Sequence, residues 1–296
     1  MSVPKSDVLR LHEDKVRFRE AVNATGAATG FAPRLVEKDY FCTVLLHYLA
    51  PLEGMLIFKG GTCLAKVHAG FYRLSEDLDF VIPTPIGASR TERSRRARNL
   101  KGLLAKIDVR LPGIDLLRAL AGANNSTQYI AVFGYTSLLR TRVETIQFKV
   151  GLREPLLTPA MQAEAKTLLL DPVSGSSLVP IINVPSLSLD EMMAEKLRAA
   201  LCRRDVAIRD FYDIDHAVRR MGLRLDDPEL LGLVRQKLAV PGNEPPDRSG
   251  DRLEALRSQV ETELKPVLRE RDFREFDLDR AFGIVAEMAR RLSECE

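Results

Sequence analysis

Apolar residues change their spacing several times along the first half of the chain, and each change marks a different predicted element. Residues of about 6–25 recur with a helical period. A second helix starts near Pro33 and carries Glu37-Lys38-Asp39-Tyr40 ahead of the apolar Val44-Leu45-Leu46. Met55-Leu56-Ile57-Phe58 is a short apolar run ended by Gly60-Gly61, the pattern of a buried strand stopped by a turn. Thr62 then stands as the N-cap of a short helix through about Ala69. From Leu78 to Ile82 the pattern alternates and is halted by Pro83, which predicts a second strand. Residues 89–107 and the neighbourhood of 115–121 read as helical. Ile130–Phe133 and Thr141–Leu152 read as strands that pair antiparallel.

The character then changes. Pro180 and Pro185 bracket an Ile-Ile-Asn-Val stretch that reads as a linker, and nearly everything beyond it has helical periodicity. The pattern therefore predicts an α/β domain over residues 1–184 and a helical domain over 185–296. Val240-Pro241-Gly242-Asn243-Glu244-Pro245-Pro246-Asp247 interrupts the second as a mobile loop.

Composition narrows the class without naming a chemistry. With 45% hydrophobic and 29% charged residues the chain is an ordinary globular protein, which excludes a disordered one. No apolar run approaches the ~20 residues that span a bilayer. The opening Met1-Ser2-Val3-Pro4-Lys5-Ser6-Asp7 lacks the apolar core of a signal peptide. Cys42, Cys63, Cys202 and Cys295 are scattered, which argues for a reducing cytoplasm and against a zinc site or a disulfide framework. The net charge of +3 is too mild to diagnose nucleic-acid binding. Its distribution says more: Arg90, Arg93, Arg95, Arg96, Arg98 and Lys101 share a short stretch with a single acid, Glu92. Such a patch attracts a phosphate backbone, and it reads equally as a solvated helix face.

The candidate chemistry lies between residues 58 and 80. Two residues apart in a strand, Asp77 and Asp79 project from the same face while Leu78 and Phe80 enter the core. Paired carboxylates repel unless a cation lies between them. Mg²⁺ (or Mn²⁺) is the natural occupant, because it takes hard oxygen ligands and bridges carboxylates to substrate phosphates. Gly60 and Gly61 let backbone amides approach a triphosphate, Thr62 opens a helix whose start favours negative charge, and Lys59 adds a cation or faces solvent. In the helical half, Lys196 falls on an apolar stripe with Leu189, Met192, Met193 and Ala200, a costly place for an ammonium without an acid or ligand at its head. It either snorkels at a domain interface or contacts nucleotide phosphates. Asp210 edges the stripe of the next helix and could pair with Lys196 or Arg209, with Asp213 one turn later.

The order strand, Gly-Gly-Thr, short helix, Arg-Leu-Ser-Glu-Asp-Leu-Asp-Phe resembles the first motif of the AbiEii/AbiGii-type toxins. These are MenT-like, nucleotidyltransferase-fold proteins of bacterial abortive-infection and toxin–antitoxin systems. Glu37-Lys38-Asp39-Tyr40, Leu152-Arg153-Glu154-Pro155-Leu156, Ala194-Glu195-Lys196-Leu197-Arg198-Ala199 and Arg209-Asp210-Phe211-Tyr212-Asp213-Ile214 resemble further landmarks in the same order. The resemblance implies a polymerase-beta-like mixed sheet with flanking helices, followed by a mainly helical half that contributes to the active-site cleft. It implies a cytoplasmic, metal-dependent nucleotidyltransferase that moves NMP from an NTP to an RNA acceptor, with the tRNA 3′ end as best guess. Asp77, Asp79, Lys196 and Asp210 would be catalytic, with Asp77 and Asp79 on the metal. Gly60, Gly61, Thr62, Ser75 and Lys196 would hold the nucleotide, and the Arg90–Lys101 patch the RNA. A cognate antitoxin is also implied, and no membrane. Transfer onto a protein hydroxyl, or a non-catalytic module that binds nucleotide or a partner, are the alternatives.

One position departs from that pattern. Polymerase-like nucleotidyltransferases place a third carboxylate on a neighbouring strand, and here the expected acid is Lys149. Strand parity puts Glu144 with Ile146 and Phe148, opposite Gln147 and Lys149. A lysine there implies one metal rather than two, a shifted strand alignment, or a weakened enzyme, with Glu154 as the nearest alternative acid.

Overall fold

The computed structural model describes residues 9–50 and 55–294. The chain divides into two compact units. The first is Met1–Leu156 with Ala160–Ser186, and the second is Leu157–Pro159 with Leu187–Glu296.

The first unit holds a seven-stranded mixed sheet. Its strands are β1 (Ile57–Lys59), β2 (Leu78–Val81), β3 (Asp115–Ala123), β4 (Gln128–Thr136), β5 (Val143–Gly151), β6 (Met161–Ala165) and β7 (Ile182–Ser186). They run in the order β3-β4-β5-β2-β1-β7-β6. β2 with β5 and β1 with β7 are parallel, and the other neighbours are antiparallel. Helices α1 (Lys15–Thr29) and α2 (Pro33–Leu49) precede the sheet. α1 is capped by Asp14, which accepts from the Arg17 amide, and ends on the left-handed Gly30. α2 starts on Pro33, whose missing N–H costs nothing in a first turn. Its core face is aromatic: the ring of Phe41 stacks on Tyr135 at 4.0 Å, and Tyr40 meets Phe18 at 4.7 Å.

Strand parity sorts the centre of the sheet into two chemistries. The rings of Phe58, Phe80 and Phe148 form a ladder across β1, β2 and β5, with successive centroids 5.2 Å apart, and all three are buried. One residue along, on the other face, Asp79 is paired with Lys59 on β1 and with Lys149 on β5. A one-residue slip would exchange these faces, so burial of the phenylalanines fixes where the acids point.

The second unit is helical: α7 (Leu189–Cys202), α8 (Ile208–Arg220), α9 (Pro228–Leu238), α10 (Gly250–Gln259), α11 (Glu270–Glu275) and α12 (Leu278–Glu294). Glu191 of α7 is wholly buried and its carboxylate is well supplied with donors. Lys237 of α9 lies 2.7 Å away, and the backbone amides of Leu157 and Thr158 donate to it at 2.8–3.0 Å. These bonds hold residues 157–159 in the helical unit.

Several expectations need correction. Residues 115–121 form part of strand β3, not a helix. Leu116, Leu117, Ala119 and Leu120 are good helix formers, but pairing with β4 overrides that preference, with two register shifts along the way. The expected linker around 180–185 is strand β7, and β6 before it was not anticipated. Pro185 fits there because β1 pairs with β7 only at Phe58↔Ser186. The helix expected over 89–107 is three short helices, α4 (Arg90–Arg96), α5 (Arg98–Leu104) and α6 (Ile107–Arg110). The first helix begins at Lys15, later than expected, and residues 6–8 of that expectation lie outside the described residues. The stretch 240–247 is a loop, fastened by Asn243, whose side-chain amide donates to the carbonyls of Lys237, Leu238 and Val240. Cys42, Cys63 and Cys202 are free and buried, and burial pushes the thiols of Cys42 and Cys63 up; Cys295 lies outside the described residues.

Candidate active site

Gly60-Gly61 follows β1 directly and opens a helical segment, α3 (Gly60–Cys63), which continues as a π-helix over Leu64–Ala69. The helix therefore starts earlier than expected. Lys59, not Thr62, occupies the N-cap position, and no side chain caps it. The buried Thr62 hydroxyl instead donates to the main-chain carbonyl of Asp77, which ties the turn to the start of the acidic strand.

Gly60 is sterically required, and Gly61 sits in a tight place. Gly60 has φ +76°, and a Cβ there would lie 2.6 Å from Asp79 Oδ2 and 2.8 Å from Asp79 Cβ. A Cβ at Gly61 would lie 2.5 Å from Nη2 of Arg73 and 3.1 Å from Ser75 Oγ. The turn is thus pressed against the carboxylate of Asp79 on one side and a guanidinium and hydroxyl on the other. Gly60→Ala is expected to cost about 1–2 kcal/mol for the left-handed backbone alone and to push Asp79 from its place. A fall in thermal midpoint together with lost activity would show this; an unaltered midpoint would mean that the turn relaxes freely.

Asp77 and Asp79 share a face, and Asp77 Oδ2 lies 2.7 Å from Lys149 Nζ. The register places Lys149 directly beside Asp79, so the lysine does point at the acids. Glu144 faces away and pairs with Arg142 at 2.8 Å. Glu154 is buried in the turn after β5, where its backbone carbonyl accepts from the Thr84 amide. Among the described residues no third carboxylate, imidazole or thiol completes a metal-binding group with the pair. Two carboxylates suffice for Mg²⁺, which keeps several waters and takes its other ligands from substrate phosphates. The donor set fits a divalent ion on those terms.

Glu76, between Ser75 and Asp77, points the other way and binds Arg34 and Lys38 of α2 at 3.3 and 3.2 Å. The landmark around residues 37–40 is structural too. Glu37 is buried and accepts from the Ser137 hydroxyl at 2.6 Å and the Leu138 amide at 2.7 Å; burial pushes its carboxyl up while these donors pull it down. Asp39, 3% exposed, meets Lys66, 1% exposed, at 2.7 Å, and Lys66 also donates to Thr43 at 2.9 Å. This buried pair anchors the π-helical segment behind the glycines to α2. Sequence reading missed both it and Arg73, which is 2% exposed beneath Gly61. No local pattern signals either, because each depends on how the turn after the glycines winds.

In the helical unit, Lys196 Nζ lies 2.5 Å from Asp210 and 2.9 Å from Asp213. Arg203 adds a second cation to Asp210 at 3.3 Å. Asp213 is fully buried, so it shares the lysine rather than merely flanking it. The basic stretch is less uniform than its composition suggests. Arg93 is buried and donates to the carbonyls of Leu152 and Asn125. Arg96 pairs with Glu92 at 2.9 Å, and Lys101 lies over the ring of Tyr129. Arg90, Arg95 and Arg98 are exposed.

No curated protein matches the chain. Among solved structures, JHP933 from Helicobacter pylori has a TM-score of 0.51 at 16% identity, over 89% of this chain and 94% of that one. A proposed nucleotidyltransferase from H. pylori has a TM-score of 0.51 at 15% identity, over 90% of this chain and 99% of that one. These likenesses concern the fold. A protein-family model described as "Nucleotidyl transferase AbiEii toxin, Type IV TA system" matches residues 43–285, most of the length, a span that includes Gly60, Gly61, Asp77, Asp79, Lys149, Lys196 and Asp210. The chain belongs to the AbiEii family of nucleotidyl transferase toxins.

Proposed function

We propose that this protein is a metal-dependent nucleotidyltransferase that moves NMP from an NTP to an RNA acceptor, the 3′ end of tRNA being the first to test. The observation that carries the reading is Asp79 pressed against the Gly60 turn with Asp77 just ahead of the same strand, both beside Lys149, in a chain of this family. Asp77 and Asp79 are the residues that would hold Mg²⁺ or Mn²⁺, which when bound supplies charge neutralisation at the transferring phosphoryl group. Gly60 and Gly61 leave room for phosphates to approach the backbone, and Ser75 offers a hydroxyl beside them. Thr62 contributes by holding the turn to the acidic strand. Lys196 is the cation assigned to the nucleotide's phosphates. Asp210 orients it and, being beside cations, serves poorly as a base. Such catalysis consists of positioning and charge compensation.

For the acceptor, the exposed Arg90, Arg95 and Arg98 support RNA, while Arg93 and Arg96 are committed to internal contacts. A cognate antitoxin is the expected protein partner, and the cytoplasm the expected compartment. Among the described residues no helix is long and apolar enough to cross a membrane.

The test is incubation with each labelled NTP, total tRNA and Mg²⁺ beside an Asp77→Ala/Asp79→Ala control. Label should enter RNA and vanish in the control. Label on protein instead would replace the acceptor, and nucleotide binding without any transfer would reduce the protein to a binding module.

A further inference from the structure

The acidic pair carries its own counter-charge. Across β1, β2 and β5, Asp79 has a lysine as its direct neighbour on both sides, Lys59 and Lys149. Directly opposed residues share a face with their Cβ atoms ~5 Å apart. Asp77, one residue ahead of β2, receives Lys149 Nζ at 2.7 Å. The Lys149 ammonium is therefore set among the two carboxylates, with the Lys59 backbone flanking Asp79 on the other side.

We infer that Lys149 fills the electrostatic place of a second metal ion, so that the acidic pair takes one divalent ion only. This rests on the reading that Asp77 and Asp79 hold a metal. A two-ion phosphoryl-transfer site needs enough anionic ligands to keep two dications ~4 Å apart. Here two carboxylates serve the whole site, and one of them is already engaged by a lysine. Placing two dications beside Asp77, Asp79 and Lys149 would leave three uncompensated positive charges before substrate arrives; one dication leaves one. The β2–β5 register keeps the Lys149 Cα opposite Asp79 even if the ion pair opens, so its ammonium stays within reach of the acids and of any phosphate brought to them.

The experiment counts Mn²⁺ bound to the full chain by electron paramagnetic resonance, in the presence of the α,β-methylene analogues of the four NTPs tested singly. Wild type should bind one ion per chain with no Mn–Mn coupling. Lys149→Glu, which removes the cation and adds a carboxylate, should bind two ions with the dipolar coupling of a close pair. A wild-type count of two coupled ions overturns the inference and leaves the metal-site reading standing. So does a Lys149→Glu protein that is folded by circular dichroism yet still binds one. If Asp77→Ala/Asp79→Ala takes as many ions as wild type, the metal-site reading itself fails. Should Lys149→Glu not fold, the wild-type count alone decides.

Discussion

Asp79→Asn will lower nucleotidyl transfer by about 10³-fold while leaving the protein folded. The figure follows from the several kcal/mol of transition-state charge stabilisation that a metal held at this carboxylate would supply, with each 1.36 kcal/mol worth a factor of ten. Asparagine keeps the shape that packs against Gly60, so the turn and its φ of +76° need not change. What is lost is charge. With Asp79 neutral, Lys149 has one carboxylate beside it in place of two. The check is the initial rate of label transfer under saturating NTP, paired with a melting curve. A drop of less than tenfold with unchanged melting would show that Asp79 does not take part in the chemistry.

The second large effect is on stability. Asp39→Ala leaves the buried ammonium of Lys66 with the Thr43 hydroxyl and the ring of Phe71 but without its acid, and removing one half of a buried ion pair costs roughly 3–5 kcal/mol. Against a total of about 5–15 kcal/mol for a typical protein, that is a substantial share. It should appear as a lower urea midpoint for the first unit. The double replacement Asp39→Leu/Lys66→Met should recover most of the loss, because a well-packed apolar pair often substitutes for a buried salt bridge. Asp39→Ala with a loss under ~1 kcal/mol would mean that water reaches Lys66 in solution. The double variant also separates two roles. If stability returns and transfer does not, the pair positions the glycine turn through the π-helical segment as well as holding it.

What could be read from the sequence was whatever is decided over a few residues. Leu78 and Phe80 alternate with Asp77 and Asp79, so the faces of β2 follow from strand period alone, and the same parity aims Lys149 at the acids. Gly60-Gly61 after an apolar run is as local. Lys196 and Asp210 were legible because a lysine on an apolar stripe needs an acid. What was lost depends on pairing at a distance. β3 looks helical until β4 lies beside it, and β7 looks like a linker because a strand flanked by prolines gives little alternation. Asp39 and Lys66 are each unremarkable in their own windows. Arg73 sits beneath Gly61 only because the helix after the glycines winds loosely and returns the chain through Ser75.

The short excursion of Leu157–Pro159 has a consequence for dissecting the gene. The chain leaves the sheet unit after Leu156, lends three residues to the helical unit, and returns at Ala160 before departing for good after Ser186. No single cut separates two self-sufficient halves. A fragment ending at Ser186 carries Leu157 and Thr158 without the Glu191 carboxylate that their amides bind. A fragment starting at Leu187 leaves Glu191 and Lys237 to face each other without those donors. Recombination at one junction would therefore not hand the helical unit, with its Leu157–Pro159 segment, intact to another protein.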